Sequence, residues 1–361
     1  MVTVPRPYLV YGLERSYFTR KMTGYLDYKG IPWRWRRAAM MNPGLYAAGW
    51  TGGMPAIECP DGQFMWDTTA MILHLEERFP ERSVLPADPV QRMLCWLIED
   101  MSDEWLYRVA VGSRWHYPEN SLAGGFELAR DFTHEASATA DEAHRFLGAY
   151  VRSSCPGLGV TAFTIGAWVD EVLRPWTRVL GAHFEHHPFL FGERPSLADF
   201  AIFGGSMAHF ATDPVCRRWA DTDAPAYVKH QQRLLEIDAC EIGDWLEPGN
   251  VSETLLRIAA DAARLYLPWV VAATAPGTEQ VLVPFANGPG APVTVTPFLR
   301  ESWALLLGRY ATLRSPAVDT ILEQAGVLRF FADQVDQARP APSPSEPPRP
   351  ALNQPYPPGV I

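Results

Sequence analysis

Apolar residues recur at two different periods along this chain, and the change of period divides it. Over the first 88 residues, short β-prone runs alternate with helical stretches. Residues 7–11 (PYLVY) form a compact apolar run of strand length. Residues 16–29 place Phe18, Met22, Tyr25 and Leu26 three to four apart, on one face of a helix that Gly30 and Pro32 end. Residues 33–37 alternate aromatic and basic side chains and read as a strand. Residues 54–58 (MPAIE) read as another, and Asp61-Gly62 is a hairpin turn leading into a returning strand at 63–66. Residues 67–79 form a second helix with Ala70, Ile72, Leu73, Leu75 and Phe79 on its apolar side. Pro80, Pro86 and Pro89 then mark a linker.

From Asp88 to about Trp245 the helical period dominates, with helices expected at 91–115, 128–151, 164–187 and 196–210. Ser196 and Asp199 have the spacing of a capping box, in which hydroxyl and carboxylate exchange bonds with each other's backbone N–H. A third region follows: a helix at 252–269, an extended stretch at 281–297 around the turn dipeptide Asn287-Gly288, and helices at 298–310 and 316–334. The last 24 residues hold nine prolines and almost no apolar period, which predicts a disordered or polyproline-like tail. The expected organisation is 1–86 as a small α/β domain, 87–248 as an all-helical domain, 249–337 as an additional α-rich region with short strands, and 338–361 as the tail.

Composition narrows the function classes. The 361 residues are 47% hydrophobic and 20% charged, as in ordinary soluble globular proteins. The net charge of −10 argues against a partner bound through its phosphate backbone. The excess acid lies downstream, because residues 1–88 carry ten basic and nine acidic side chains. No run approaches the ~18 apolar residues of a membrane span, and the N-terminus lacks the apolar core of a secretory signal. The five cysteines are odd in number and widely spaced, with no CxxC. A disulfide framework or a zinc site is therefore not expected, and a reducing cytosol is. His183, His186 and His187 read as a solvated helix end rather than a metal site. The run 33–37 (WRWRR) reads as a strand with a basic outer face rather than a nucleic-acid platform.

The order strand, helix, strand, hairpin, helix is that of a thioredoxin-like α/β domain. Four segments in sequence resemble the glutathione S-transferase family. Residues 16–21 (SYFTRK) lead through Leu26 to Lys29-Gly30-Ile31-Pro32, like the family's first helix. Met54-Pro55-Ala56-Ile57 is similar to its cis-proline strand entry. Trp66-Asp67-Thr68-Thr69-Ala70 is similar to the acidic-plus-hydroxyl pair opening a later helix, although the family's usual pair is Glu-Ser. Residues 192–200 (GERPSLADF) resemble the capping-box segment of its helical domain. The likeness spans about 240 residues and leaves 251–337 outside the two-domain pattern. It implies a thioredoxin-like domain followed by an all-α domain, glutathione as co-substrate without a metal, a cytoplasmic detoxification-type transferase, and a homodimer.

The resemblance also implies a division of labour. A free thiol titrates near 8.5, and a hydroxyl aimed at the sulfur lowers that value by favouring the thiolate. Ser16, ahead of the first helix, stands where serine- and cysteine-type members carry that group; Tyr17 is its rival, and a plain helix cap is the bland alternative for Ser16. Met54 and Pro55 would present backbone groups to the cysteinyl part of glutathione, while Asp67 and Thr68 would hold its γ-glutamyl end. An electrophile is expected against Trp105, Tyr107, Arg108, Arg114, Trp115 and Tyr117, a set that suits an aromatic or apolar compound. The reading is a glutathione transferase acting on a small electrophile. The alternative is a glutathione-binding or interaction protein that keeps the fold without turnover.

Overall fold

The computed structural model describes residues 6–36, 42–50, 52–133, 139–237 and 243–335. The proline-rich tail lies outside the described residues, as do Cys240 and Arg37, the expected end of the second strand.

Strand β1 (Tyr8–Tyr11) is apolar throughout and buried along its length, so it takes an inner place in the sheet. It pairs parallel with β2 (Trp33–Arg36) and antiparallel with β3 (Ala56–Glu58). β3 pairs antiparallel with β4 (Phe64–Trp66), giving the order β2-β1-β3-β4. A parallel pair needs a crossover, and α1 (Tyr17–Lys29) supplies it. Gly30 ends α1 at φ +64, a left-handed cap that glycine enters without steric cost. A short helix, α2 (Pro43–Ala47), lies between β2 and β3, and α3 (Thr68–Arg78) follows β4 and packs against α1. On β2, Arg34 and Arg36 are exposed, the basic outer face read from the sequence.

Helix α4 (Pro89–Met101) continues through a π-helical turn, Ser102–Leu106, into α5 (Tyr107–His116). The helix expected over 128–151 is two helices, Phe126–Thr133 and Ala140–Ser154. Thr139 adopts extended backbone and forms a capping box with Glu142, which starts the chain afresh. The runs 165–184 and 197–210 are helical as expected. Pro214–Asp223 and Pro225–Glu236 were not anticipated; each opens with proline in its first turn, where the missing N–H costs nothing. His183 is not at a solvated end. It is buried, with Nδ1 2.8 Å from the Thr254 hydroxyl and Nε2 3.2 Å from the Phe189 carbonyl.

The C-terminal region folds onto α4. A helical run at 253–274 passes Pro268 by a π-helical turn, Ala262–Tyr266, and ends five residues beyond the expected position. Strands β5 (Gln280–Val283) and β6 (Ala291–Thr294) make the hairpin announced by Asn287-Gly288. Pro297–Leu313 follows, and the helix expected over 316–334 is split into Pro316–Gln324 and Leu328–Ala332 at Gly326, where φ is +70. Pro297–Leu313 and Pro316–Gln324 both pack on α4. No helix among the described residues is long and apolar enough to cross a membrane.

Candidate active site

Strand register brings three separate segments to one end of the sheet. Tyr11, the last residue of β1, pairs with Ala56, the first of β3, and Ala56 pairs with Trp66, the last of β4. The loop 12–16, the Met54-Pro55 pair and the Asp67-Thr68 pair therefore leave the sheet side by side.

The first segment carries Ser16. Its backbone is extended (φ −91, ψ 134) and it stands at the N-cap of α1, but its side chain makes no capping bond. The bland role for Ser16 is thus unfilled, and the hydroxyl sits at the positive end of a 13-residue helix. The residue is 6% exposed. Its amide donates to the Leu13 carbonyl at 3.0 Å, and its own carbonyl accepts from the Arg20 amide at 3.0 Å. Gly12 opens the loop, where a Cβ would lie 2.6 Å from the Thr19 side chain.

Tyr17 does not share this position. Its phenol is buried and donates to the Ser102 carbonyl at 2.9 Å, and its ring lies against Phe18 and His209. Burial pushes its pKa well above the usual tyrosine range, with Asp103 adding to the effect. The one proton Tyr17 could offer is already committed, so it is an aromatic between α1 and the helical part, not a rival donor.

In the second segment the Met54–Pro55 peptide is cis. Met54 is buried, and just ahead of it the Trp50 indole donates to the Gly53 carbonyl at 2.6 Å.

The third segment holds a conformation absent from the sequence reading. Asp67 has φ +75 and ψ 107, outside the regions open to residues with a Cβ at low cost. Such strain is worth about 1–3 kcal/mol and clusters where proteins hold ligands. The side chain accepts from the Thr69 amide at 3.1 Å and the Ala70 amide at 3.2 Å. The amide and hydroxyl of Thr68 take no part in this cap. Burial raises the Asp67 carboxyl pKa against the opposing pull of the Ala70 amide and Lys21.

Beneath the first turn of α3 lies a buried charge network. Lys21, with a side chain 0% exposed, donates to Thr69 Oγ1 at 3.2 Å, Glu99 Oε1 at 2.7 Å and Asp103 Oδ2 at 2.5 Å. Thr69 also donates to Glu99. Burial alone would lower the Lys21 pKa, but the Asp103 and Glu99 carboxylates hold it above its ordinary value. One ammonium serves two acids. Burial raises Asp103, whereas for Glu99 the attraction of Lys21 and then Arg309 outweighs burial and lowers it.

The expected electrophile pocket is largely overturned. Trp105 is 1% exposed and its ring lies among Trp168, Tyr266 and Trp269. The Arg108 guanidinium stacks 4.6 Å from the Trp269 ring centroid. Trp115 is buried and stacks on His144. Arg114 is buried in an ion pair with Asp213, and Tyr117 meets Trp219 edge-on. Only Tyr107 and Tyr117 of the set are partly exposed, and the Tyr107 ring lies 6.1 Å from that of Phe18, two residues beyond Ser16. Among the described residues no cluster of His, Cys, Asp and Glu could hold a metal ion. The described cysteines, 59, 95, 155 and 216, are free and buried.

Residues 10–83 match the family model for the glutathione S-transferase N-terminal domain. Maleylacetoacetate isomerase of Pseudomonas aeruginosa is 26% identical over 212 residues, covering 56% of this chain and 82% of that protein. Similar solved structures include a glutathione S-transferase of Methylobacterium radiotolerans in complex with glutathione sulfonate. It is 17% identical, with a TM-score of 0.42, over 67% of this chain and 100% of that one. A beta-etherase of Sphingobium is 15% identical with a TM-score of 0.45, over 65% of this chain and 97% of that one. Residues 10–83 are thus a domain of the glutathione S-transferase N-terminal family, and the similarity to the isomerase extends beyond them into the helical part.

Proposed function

We propose that this chain is a glutathione transferase-type enzyme in which the Ser16 hydroxyl stabilises glutathione as its thiolate for attack on a small electrophile. The observation carrying this reading is the meeting of three segments at one end of the sheet with the serine hydroxyl left out of the helix cap. In this reading the Met54 backbone, next to Pro55, pairs with the cysteinyl part of the tripeptide, as an added strand would. The Thr68 amide and hydroxyl take the γ-glutamyl carboxylate at the start of α3, where the helix end favours an anion. Asp67 takes the γ-glutamyl amino group. The thiolate is favoured by one donated hydrogen bond and by the N-terminus of α1. Holding both reactants together supplies much of the rate.

The isomerase relative suggests one use of such a thiolate. It can add to an activated double bond, allow rotation about the resulting single bond, and leave again with its electron pair. Transfer and isomerisation share the first step and differ in whether the sulfur is expelled. Tyr107 and Phe18 are the aromatic groups left to meet the electrophile.

The test is a titration of the ultraviolet thiolate band of bound glutathione. The wild type should show the band near neutral pH, and Ser16→Ala should move its midpoint upward by about one to two units, the value of a hydrogen bond to a charged group. A wild type without the band near neutral pH, or an unchanged midpoint in Ser16→Ala, sinks the serine reading. Retained glutathione binding without any thiolate would instead favour a non-catalytic binding protein.

A further inference from the structure

Arg114, expected in the electrophile pocket, is bonded to the serine loop. Its Nη1 donates to the carbonyl of Arg15 at 2.8 Å. That carbonyl belongs to the peptide joining Arg15 to Ser16, whose N–H donates to Leu13 at 3.0 Å. Both polar groups of this peptide are therefore committed, one to the loop itself and the other to Arg114. With the next peptide also held, through the Ser16 carbonyl accepting from the Arg20 amide at 3.0 Å, the direction of the Ser16 Cα–Cβ bond is fixed, and only χ1 and the hydroxyl torsion remain.

The arginine is itself held rigidly. Nε and Nη2 donate to the two oxygens of Asp213 at 3.1 and 3.0 Å, and Nη2 also donates to the Ala208 carbonyl. The side chains of Arg114 and Asp213 are 1% and 0% exposed. Gly124 lies directly over the pair: a Cβ there would come 2.2 Å from Asp213 Oδ1 and 2.8 Å from Arg114 Nε. His209, beside Asp213 at 3.6 Å, is kept neutral by burial and then by Arg114, its pKa lowered to about 4. Burying an ion pair brings little net stability, since desolvation offsets the attraction. A planar fork bound at one edge to a carboxylate does have a remaining N–H in a fixed direction. Here that N–H is spent on the peptide of Ser16.

We infer that Arg114 is a positioning residue: through the Arg15 carbonyl it aims the Ser16 hydroxyl at the sulfur of glutathione. The inference rests on the proposed role of Ser16, and a double-mutant cycle separates the two. Bound glutathione is titrated by its thiolate band in wild type, Ser16→Ala, Arg114→Met and the double variant. Arg114→Met should raise the midpoint by about one unit, because a misaimed hydroxyl loses much of a hydrogen bond worth about one to two units. Measured well below the midpoint, where the bound thiol is protonated, glutathione affinity should stay within about twofold, since Met54, Asp67 and Thr68 are untouched. In the Ser16→Ala background the same substitution should change nothing further. Arg114→Lys, which keeps the charge and loses the fork, should behave like Arg114→Met.

An undiminished shift in the Ser16→Ala background would show that Arg114 acts by charge or by general disruption, and would overturn the inference. No shift in the parent background would overturn it as well. If Ser16→Ala alone has no effect, the serine reading has failed, which is a different result. Should the single arginine variants not fold, Arg114→Met with Asp213→Asn removes both charges and gives the same cycle. In that cycle, a shift present with Ser16 and absent without it supports the inference, and any other pattern overturns it.

Discussion

Glu99 and Asp100 are neighbours on α4, and their carboxylates bind opposite sides of it. Glu99 accepts from Lys21 and Thr69, in the first helix and the first turn of α3. Asp100 accepts from the Tyr266 and Ser302 hydroxyls, both at 2.5 Å and both in the C-terminal region. The two sides also communicate directly, since Arg309 approaches Glu99 to 3.8 Å while lying over the Trp96 ring. The region outside the two-domain pattern is thus joined to the same buried network that supports the start of α3.

Lys21→Met tests the first half of this arrangement. The substitution keeps the volume of the stem and removes the only ammonium shared by Glu99 and Asp103 among the described residues. Two buried carboxylates lose their partner, a change that typically costs about 3–5 kcal/mol. Urea unfolding should show a loss of that order, with glutathione binding weakened because Thr69 loses its neighbour. A loss below about 1 kcal/mol would mean that the acids simply take up protons at little cost.

Asp100→Asn tests the second half through pH. Burial raises the Asp100 carboxyl from 3.8 to about 6, despite the two hydroxyl donors. The folded chain therefore holds a proton there that the unfolded chain has already released. Stability from this group is complete below about pH 4 and is lost as pH rises through about 6. The asparagine variant has no proton to lose, and its amide can serve both hydroxyls. Wild type should fall relative to Asp100→Asn between about pH 4 and 7, by up to about 3 kcal/mol. Parallel stability curves for the two proteins would contradict this.

Much of the fold around the site was legible in the sequence because its signals are local. The run PYLVY, Gly30, the Asp61-Gly62 turn and the capping box of Ser196 and Asp199 each act within a few residues. Some missed boundaries were local too: Thr139 with Glu142, and the prolines at 214 and 225, are ordinary helix-start signals. The electrophile pocket failed for a different reason. Whether Trp105 and Arg108 face a cleft or a core depends on Tyr266 and Trp269, about 160 residues away. No periodicity in α4 or α5 reveals what covers them. Arg114 was likewise visible as a basic residue, but its target, the carbonyl of Arg15, has no sequence signature. The positive φ of Asp67 is hidden because an aspartate there reads as a simple cap.

Tyr17→Phe separates the two hydroxyls of the first loop. The phenol is buried and bound to the Ser102 carbonyl, so its removal should leave the thiolate midpoint of bound glutathione where it was. The stability cost should be about 1–3 kcal/mol, the value of a buried carbonyl left without its donor. A midpoint moved as far as in Ser16→Ala would identify the tyrosine as the thiolate's donor and reverse the assignment.

The contact between α1 and the helix Leu197–Gly205 sets the last expectation. A Cβ on Gly204 would lie 2.7 Å from the Tyr17 carbonyl oxygen and 2.9 Å from Lys21 Cβ. A Cβ on Gly205 would lie 2.5 Å from the Tyr17 ring, and one on Gly24, across the contact, 2.6 Å from the Phe203 ring. Backbone meets backbone here, so a methyl group cannot be absorbed by a rotamer change. Gly204→Ala should cost about 1–3 kcal/mol through overpacking. It should also weaken glutathione binding, because pushing α1 away moves Ser16 and Lys21 together. Gly166→Ala is the matched control. It is also helical, but a Cβ there meets nothing within 4 Å, so helix propensity alone should stabilise it by about 0.5–1 kcal/mol. Opposite signs for the two variants in thermal unfolding, with glutathione affinity changed only in the first, would establish that close approach of α1 is what Gly204 provides. Equal effects would show that glycine at 204 matters only for its backbone freedom.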